Sequence, residues 1–155
     1  MKTLIVPTDF SPVSLNAVNY AADMAMDMGA SLILLNVYQI PVTFTEVPVI
    51  NISLEELKKI SEERVAELKK GLEHVTSGKL KIYGESRLGD VTDEIEMLCK
   101  KINPFAVIMG TKGASGLERL FLGSNTLTAI RNLSFPVMVI PPGAAYSGIR
   151  KLGFA

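Results

Sequence analysis

Short apolar runs alternate along the chain with longer stretches of mixed polarity. The runs at residues 4–6, 32–37 and 137–140 consist almost entirely of aliphatic side chains. Runs of this length are typical of strands that are buried on both faces of a parallel sheet. Weaker runs predict two further strands, near residues 80–83 and at residues 105–109. The pattern therefore predicts five strands.

The stretches between these runs carry the signals of helices. Ser11, followed directly by proline, is a typical N-cap with proline at the first helical position. Ser53 and Glu56 form a capping box at the start of a second helix. Asp90 is a plausible cap for a third helix, and a fourth is expected over residues 125–132. Strands and helices therefore alternate throughout the chain.

Such alternation predicts an α/β fold, in which a five-stranded parallel sheet is covered by helices on both faces as a three-layer sandwich. In sheets of this kind, ligands bind outside the carboxyl ends of the strands, where the strand order reverses. Two stretches that could contribute functional groups follow predicted strands, namely residues 7–9 and Gly110. If their strands are neighbours, both stretches line the same crevice.

Composition narrows the possible partners. The 155 residues suffice for one domain, and the 16 basic and 16 acidic residues balance to zero net charge. Nothing in that balance favours a surface for polyanions, so we expect no nucleic-acid partner. The single cysteine, Cys99, excludes an internal disulfide and is expected to be a buried core residue. We find neither a signal peptide nor a membrane-spanning run of roughly 20 apolar residues, so we expect a cytoplasmic protein with no membrane partner.

The glycine-rich stretch after the fourth predicted strand carries most of the functional information. Gly110, Gly113, Gly123 and Ser124 form the pattern G-x2-G-x9-G-S, which is neither a Walker A sequence nor the G-x-G-x-x-G of dinucleotide-binding domains. Backbone N–H groups in such a loop, and at the start of the following helix, can bind an anion. Lys112 would add a positive charge there or point to solvent. The alternative interpretation is an ordinary flexible loop.

This pattern, together with the opening stretch at residues 4–11, resembles the motifs of the ATP-binding universal stress protein family over residues 2–141. The resemblance implies a strand order of 3-2-1-4-5 and a homodimer formed through the last strand. It also implies an adenine nucleotide, ATP or else ADP or AMP, with Mg²⁺ or Mn²⁺ bridging the phosphates. The sequence contains no clustered set of His, Cys and Asp ligands that would form a protein cage for a metal.

The resemblance also implies roles for individual residues. Asp9 would lie near the ribose and Val37 against the adenine, whereas Gly123 and its neighbours would hold the phosphates. The alternative for Asp9 is a purely local role, in which it caps a turn or the first helix together with Ser11. The expected site residues are Pro7, Thr8, Asp9, Val37, Met109, Gly110, Lys112, Gly113, Gly123, Ser124 and Asn125.

For function, the resemblance implies an ATP-binding regulatory or sensor module of a stress response, with slow ATP hydrolysis or autophosphorylation at most. Asp9 is the one acid expected near the nucleotide, Arg119 is the only arginine in the glycine-rich loop, and no histidine lies in either motif. One alternative is a slow ATPase or an autophosphorylating enzyme, for which Ser124 is a conceivable acceptor. A second alternative is a dimeric interaction protein with a vestigial nucleotide site.

The predicted domain covers residues 1–142 and leaves a tail at residues 143–155. Residues 150–155 resemble residues 2–7, so the tail is interpreted as the start of a second copy of the domain in a tandem protein. The alternatives are a disordered tail and a strand that pairs with a partner.

Overall fold

The computed structural model describes residues 2–40, 53–111 and 122–149. Within these ranges, strands and helices alternate as the sequence pattern predicts. The elements are β1 (Thr3–Pro7), α1 (Pro12–Met28), β2 (Ser31–Tyr38), α2 (Leu54–Val75), β3 (Ile82–Leu88), α3 (Val91–Ile102), β4 (Ala106–Gly110), α4 (Ser124–Asn132) and β5 (Val137–Ile140).

The strands form one parallel sheet in the order β3-β2-β1-β4-β5, which confirms the predicted fold class and strand order. β1 lies at the centre, where Ile5 pairs with Ile33 of β2 on one side and with Val107 of β4 on the other. The order reverses at β1, because the chain runs from β1 outward to β3 and then returns to β4. The crevice expected at this reversal lies at the carboxyl ends of β1 and β4.

Two hydrophobic cores lie on opposite faces of the sheet. On one face, Leu4 and Leu34 pack with the inner sides of α1 and α2. On the other face, Ile5 and Leu35 pack with the inner sides of α3 and α4. Alternate residues of the central strands therefore contribute to different cores, which explains why these strands are continuously apolar.

The predicted caps are present at three helices. The Ser11 hydroxyl accepts a hydrogen bond from the Ser14 N–H at 3.2 Å, and Ser53 and Glu56 complete a reciprocal capping box. Asp90 accepts hydrogen bonds from the first turn of α3. Each of these helices therefore begins where the sequence predicts.

The predicted position of the third strand was wrong. β3 runs over Ile82–Leu88 instead of residues 80–83, and its second half carries Glu85 and Arg87. This strand lies at an edge of the sheet, where polar side chains are tolerated, so its apolar run is short. Arg87 forms ion pairs with Glu85 at 2.7 Å and with Glu94 of α3 at 3.3 Å, which satisfy the charges at this edge.

Cys99 is fully buried in the core formed by α3 and α4, as predicted. Burial, together with the nearby Glu96 carboxylate, raises the pKa of the thiol to about 11. The thiol therefore stays protonated at neutral pH and acts as a small apolar side chain.

The tail forms neither a strand nor a helix as far as residue 149, and it contacts α1 up to Tyr146. The Asn16 side chain donates hydrogen bonds to the carbonyl groups of Pro141 and Ala144. The Tyr146 hydroxyl donates to the Asp27 carboxylate at 2.7 Å, and its ring meets Tyr20 edge to face. The resemblance to a second copy falls on residues 150–155, outside the described residues, so the tandem interpretation stays a prediction.

No helix in the described ranges combines the length and the apolar character needed to cross a bilayer.

The packing of α2 on β3 gives a stability prediction. A Cβ atom at Gly84 would lie 2.5 Å from Cγ1 of Val65, so Gly84→Ala is expected to lower the free energy of unfolding by about 1–3 kcal/mol. Val65→Ala alone should cost about 2 kcal/mol because it leaves a cavity. In the double variant the new methyl group occupies that cavity, so we expect a loss at least 1 kcal/mol smaller than the sum of the single losses, as estimated for contacting residues. Urea denaturation of the four proteins measures this coupling, and strictly additive losses would contradict the proposed contact.

Candidate functional site

A cavity of about 300 Å³ opens at the carboxyl ends of β1, β2 and β4, next to the first residues of α3 and α4. Nine of the eleven residues expected from the sequence line it. They are Pro7, Thr8, Asp9, Val37, Met109, Gly110, Gly123, Ser124 and Asn125. The other two, Lys112 and Gly113, lie outside the described residues. The structure thus brings the two separated motifs together at one cavity.

The loop after β1 is held by its own side chains. Thr8 is buried, and its hydroxyl lies 3.0 Å from the Ser14 hydroxyl and accepts a hydrogen bond from the Phe10 N–H. Asp9 is exposed at the cavity, and one of its carboxylate oxygens accepts from the Ser11 N–H at 3.0 Å. The turn-capping role considered for Asp9 is therefore present, in a side chain that also borders the cavity.

The connection between β4 and α4 closes at its base. The Gly123 N–H donates to the Thr111 carbonyl at 2.6 Å, which brings the two ends of the glycine-rich stretch together. The buried Thr126 hydroxyl donates to the Gly110 carbonyl at 2.9 Å and ties the end of β4 to the first turn of α4. The first turn of α4 is therefore fixed beside the strand end.

Gly123 and Gly110 each have a structural role in addition to lining the cavity. Because the Gly123 N–H bonds to the Thr111 carbonyl, it is not among the anion donors that were predicted there. Gly123 is also the N-cap of α4, and it has no side chain that could cap the helix. The first N–H groups of α4, those of Ser124 and Asn125, have no partner within the helix and lie at the cavity. At Gly110 a Cβ atom would lie 2.9 Å from Cγ1 and 3.0 Å from the carbonyl oxygen of Val13, so glycine is required there by the close approach of α1.

The cavity has an apolar wall and a polar rim. Leu35, Val37, Val91 and Met109 supply aliphatic surface, whereas Asp9, Ser124 and Asn125 supply polar groups. Asp9 is the only formally charged residue among the described residues that line it. The partial positive charge of the α4 N-terminus lies at the same cavity. One site thus offers an acceptor, backbone donors and an apolar surface.

Four lining residues were not predicted from the sequence, namely Ser14, Leu35, Val91 and Thr126. Leu35 could have been found, because it lies two residues before Val37 and so faces the same side of β2. Ser14 bonds to the Thr8 hydroxyl six residues before it and Thr126 to the Gly110 carbonyl 16 residues before it, and the sequence pattern carries no signal for either pairing.

No group of three or more His, Cys, Asp or Glu residues that could hold a metal ion occurs within residues 2–40, 53–111 and 122–149.

Comparisons with known proteins agree on one family. The model of the universal stress protein family matches residues 1–141. A universal stress protein of Methanocaldococcus jannaschii is 32% identical over 142 residues, which cover 90% of this chain and 81% of that protein. These matches span the sheet, the helices and the cavity.

Solved structures of the same family share the fold. The universal stress protein UspA from Lactobacillus plantarum superposes with a TM-score of 0.75 at 21% identity, and the match covers 90% of this chain and 97% of that protein. A universal stress protein in complex with cAMP superposes with a TM-score of 0.67 at 19% identity, and the match covers 92% of this chain and 98% of that protein. The universal stress protein from Archaeoglobus fulgidus in complex with dAMP superposes with a TM-score of 0.61 at 14% identity, and the match covers 90% of this chain and 96% of that protein.

The tie between Thr126 and Gly110 can be tested with a matched pair of substitutions. Thr126→Val keeps the shape of the side chain but leaves the buried Gly110 carbonyl without this donor, so it should cost about 1–3 kcal/mol of unfolding free energy. Thr128→Val in the same helix removes only an exposed hydrogen bond to the Ser124 carbonyl and should change stability by less than about 0.5 kcal/mol. Chemical denaturation provides both values, and equal effects would argue against a structural role for the Thr126 hydroxyl.

Proposed function

Because this chain belongs to the universal stress protein family, we propose that it binds an adenine nucleotide in the cavity between β1 and β4 and acts as a nucleotide-dependent regulatory or sensor module. Support comes from two structural neighbours, one in complex with cAMP and one with dAMP. The observation that carries the proposal is the meeting of the Asp9 loop, an apolar wall and the N-terminus of α4 at one cavity. Its volume of about 300 Å³ lies at the lower end of the range for small-molecule pockets.

The nucleoside is proposed to occupy the β1–β2 side of the cavity. Val37 and Val91 offer aliphatic surface for the adenine ring, and both pack against the core to which Leu35 belongs. Asp9 is the acceptor at this side, and a carboxylate suits the hydroxyl groups of a ribose. Pro7 and Thr8 shape the same wall.

The phosphates are proposed to lie toward α4. Ser124 and Asn125 supply N–H groups in its first turn, and the helix dipole favours negative charge at this position. Gly113 and Lys112 are proposed to complete the phosphate side from the glycine-rich loop. Mg²⁺ or Mn²⁺, where it accompanies ATP, would be held mainly by phosphate oxygens. Asp9, the one carboxylate on the described lining, is assigned to the sugar.

Binding rather than rapid turnover is the proposed outcome. Phosphoryl transfer needs a group that orients or deprotonates the nucleophile and cations that stabilise the developing charge. The described lining offers one carboxylate and neither histidine, lysine nor arginine. We therefore propose that occupancy by ATP, ADP or AMP changes the protein's interactions, with slow hydrolysis or autophosphorylation as the most that chemistry contributes.

Calorimetric titration with ATP, ADP, AMP and adenosine tests the nucleotide site. We expect affinity to rise with the number of phosphates. We also expect Asp9→Asn to weaken ATP binding by about 10-fold or more, because hydrogen bonds to charged groups contribute about 1.5–3 kcal/mol.

The matched control for this experiment is Asp90→Asn. Like Asp9, Asp90 follows a strand and accepts hydrogen bonds from the backbone N–H groups after it. Asp90 is the N-cap of α3, however, and it does not line the cavity. Asparagine is as good an N-cap as aspartate, so this variant should bind ATP like the original chain. Wild-type protein that binds none of the four compounds would refute the proposed function.

We further propose that the chain forms a homodimer through β5. This strand is at the sheet edge opposite β3, and Val137, Met138 and Val139 are only partly buried. Residues 137–140 include no charged side chain of the kind that protects an exposed edge from pairing. A second copy that pairs along this edge would cover it symmetrically.

The dimer prediction compares the two sheet edges. Val139→Lys places a charge in the proposed interface. The molar mass of this variant, measured by light scattering or sedimentation, should therefore fall to that of a monomer. Tyr83→Lys places the same charge on the exposed β3 edge and should leave the mass unchanged. A wild-type protein that is monomeric at high micromolar concentration would overturn this proposal without affecting the nucleotide site.

A further inference from the structure

Helix α2 reaches the loop that carries Asp9 through a chain of buried hydrogen bonds. The Ser61 hydroxyl donates to the side-chain oxygen of Asn36 at 2.7 Å. The Asn36 side-chain nitrogen in turn donates to the carbonyl of Thr8, also at 2.7 Å. Ser61, Asn36 and Thr8 are each at most 8% exposed, so water does not compete for these bonds. The residue immediately before Asp9 is therefore tied to α2.

A second contact from α2 falls on the residue immediately after Asp9. The Arg64 guanidinium carbon lies 4.2 Å from the centre of the Phe10 ring, a cation–π arrangement. Phe10 has a φ angle of +62°, a left-handed conformation that is unfavourable for an aromatic residue. Surrounding contacts must hold it there, and they include the bond from the Phe10 N–H to the Thr8 hydroxyl.

The two contacts come from one face of α2, because Ser61 and Arg64 are three residues apart. Both residues lie outside the set that lines the cavity. Within the described ranges, the contacts that link them to the Asp9 loop run through Asn36 and Phe10.

From this arrangement we infer that Ser61 and Arg64 are positioning residues that fix the orientation of the Asp9 carboxylate. Ser61 acts on the carbonyl before Asp9, and Arg64 acts on the ring after it. The direction of the Asp9 side chain is thus set by a helix that belongs to the opposite core from α3 and α4. The consequence for ligand binding rests on the proposed nucleotide function, whereas the consequence for the loop does not.

The first measurement requires no ligand. Amide hydrogen exchange, followed by NMR, reports on the Phe10 and Ser11 N–H groups, which bond to the Thr8 hydroxyl and the Asp9 carboxylate. In the double variant Ser61→Ala/Arg64→Ala, these two amides should exchange at least 10-fold faster relative to the amides of β4. Leu72→Ala, which truncates a buried side chain farther along α2, should not change this ratio.

The second measurement asks whether the ribose is still recognised. Wild type is expected to bind ATP about 10-fold more tightly than an ATP analogue that lacks both ribose hydroxyls. The double variant should lose most of this preference but keep its preference for ATP over adenosine. Leu72→Ala should retain both, and the conservative pair Ser61→Thr/Arg64→Lys should restore most of the ribose preference. A general loss of stability would not change the ribose preference selectively.

The outcomes separate the two proposals. If wild type binds no adenine nucleotide, the proposed function fails and the exchange measurement alone decides this inference. If wild type binds ATP, then unchanged exchange at Phe10 and Ser11, or an unchanged ribose preference in the double variant, overturns the inference and leaves the nucleotide site in place.

Discussion

Direct parallel pairing between β1 and β4 is the constraint on which the site depends. Leu4 pairs with Ala106 and Ile5 with Val107, although about 100 residues separate the two strands in the sequence. The chain must leave β1 toward one side of the sheet and leave β4 toward the other. The loops after the two strands therefore diverge and leave a crevice between them. Every polar group of the candidate site is attached to one of these loops or to the helix that follows it.

The crevice also imposes a packing requirement at its base. α1 begins only a few residues after β1, so it must pass directly over the end of β4, and a side chain at Gly110 would meet Val13 there. Hydrogen bonds from Thr126 to the Gly110 carbonyl and from Thr111 to the Ile140 carbonyl then satisfy backbone groups at and just beyond the strand end. The strand end that borders the cavity is thus held by packing and hydrogen bonds within the fold itself.

Most of the fold could be predicted because it follows from local signals. The central strands are buried on both faces, and the caps at Ser11, Ser53 and Asp90 mark the starts of three helices. β3 was misplaced because an edge strand carries polar residues, so its hydrophobic run does not mark its length. Most of the expected site residues could be placed through two motifs at strand ends. The roles of Ser14, Asn36 and Thr126 could not be predicted, because each depends on a partner 6, 28 or 16 residues away.

The buried polar contacts around Asp9 also bear on the energetics of the proposed ligand binding. Thr8 is bonded through its N–H to Leu35, through its carbonyl to Asn36 and through its hydroxyl to Ser14, so its conformation is fixed before any ligand arrives. Phe10 keeps an unfavourable backbone angle, and the contacts that hold it include the bond from its N–H to the Thr8 hydroxyl. A preorganised acceptor loses little conformational freedom when it meets a ligand, which leaves more of the interaction energy for affinity. The free-energy cost of this preorganisation is met during folding. Helix α2 contributes to that cost, because Ser61 and Arg64 support the loop instead of adding to the hydrophobic core.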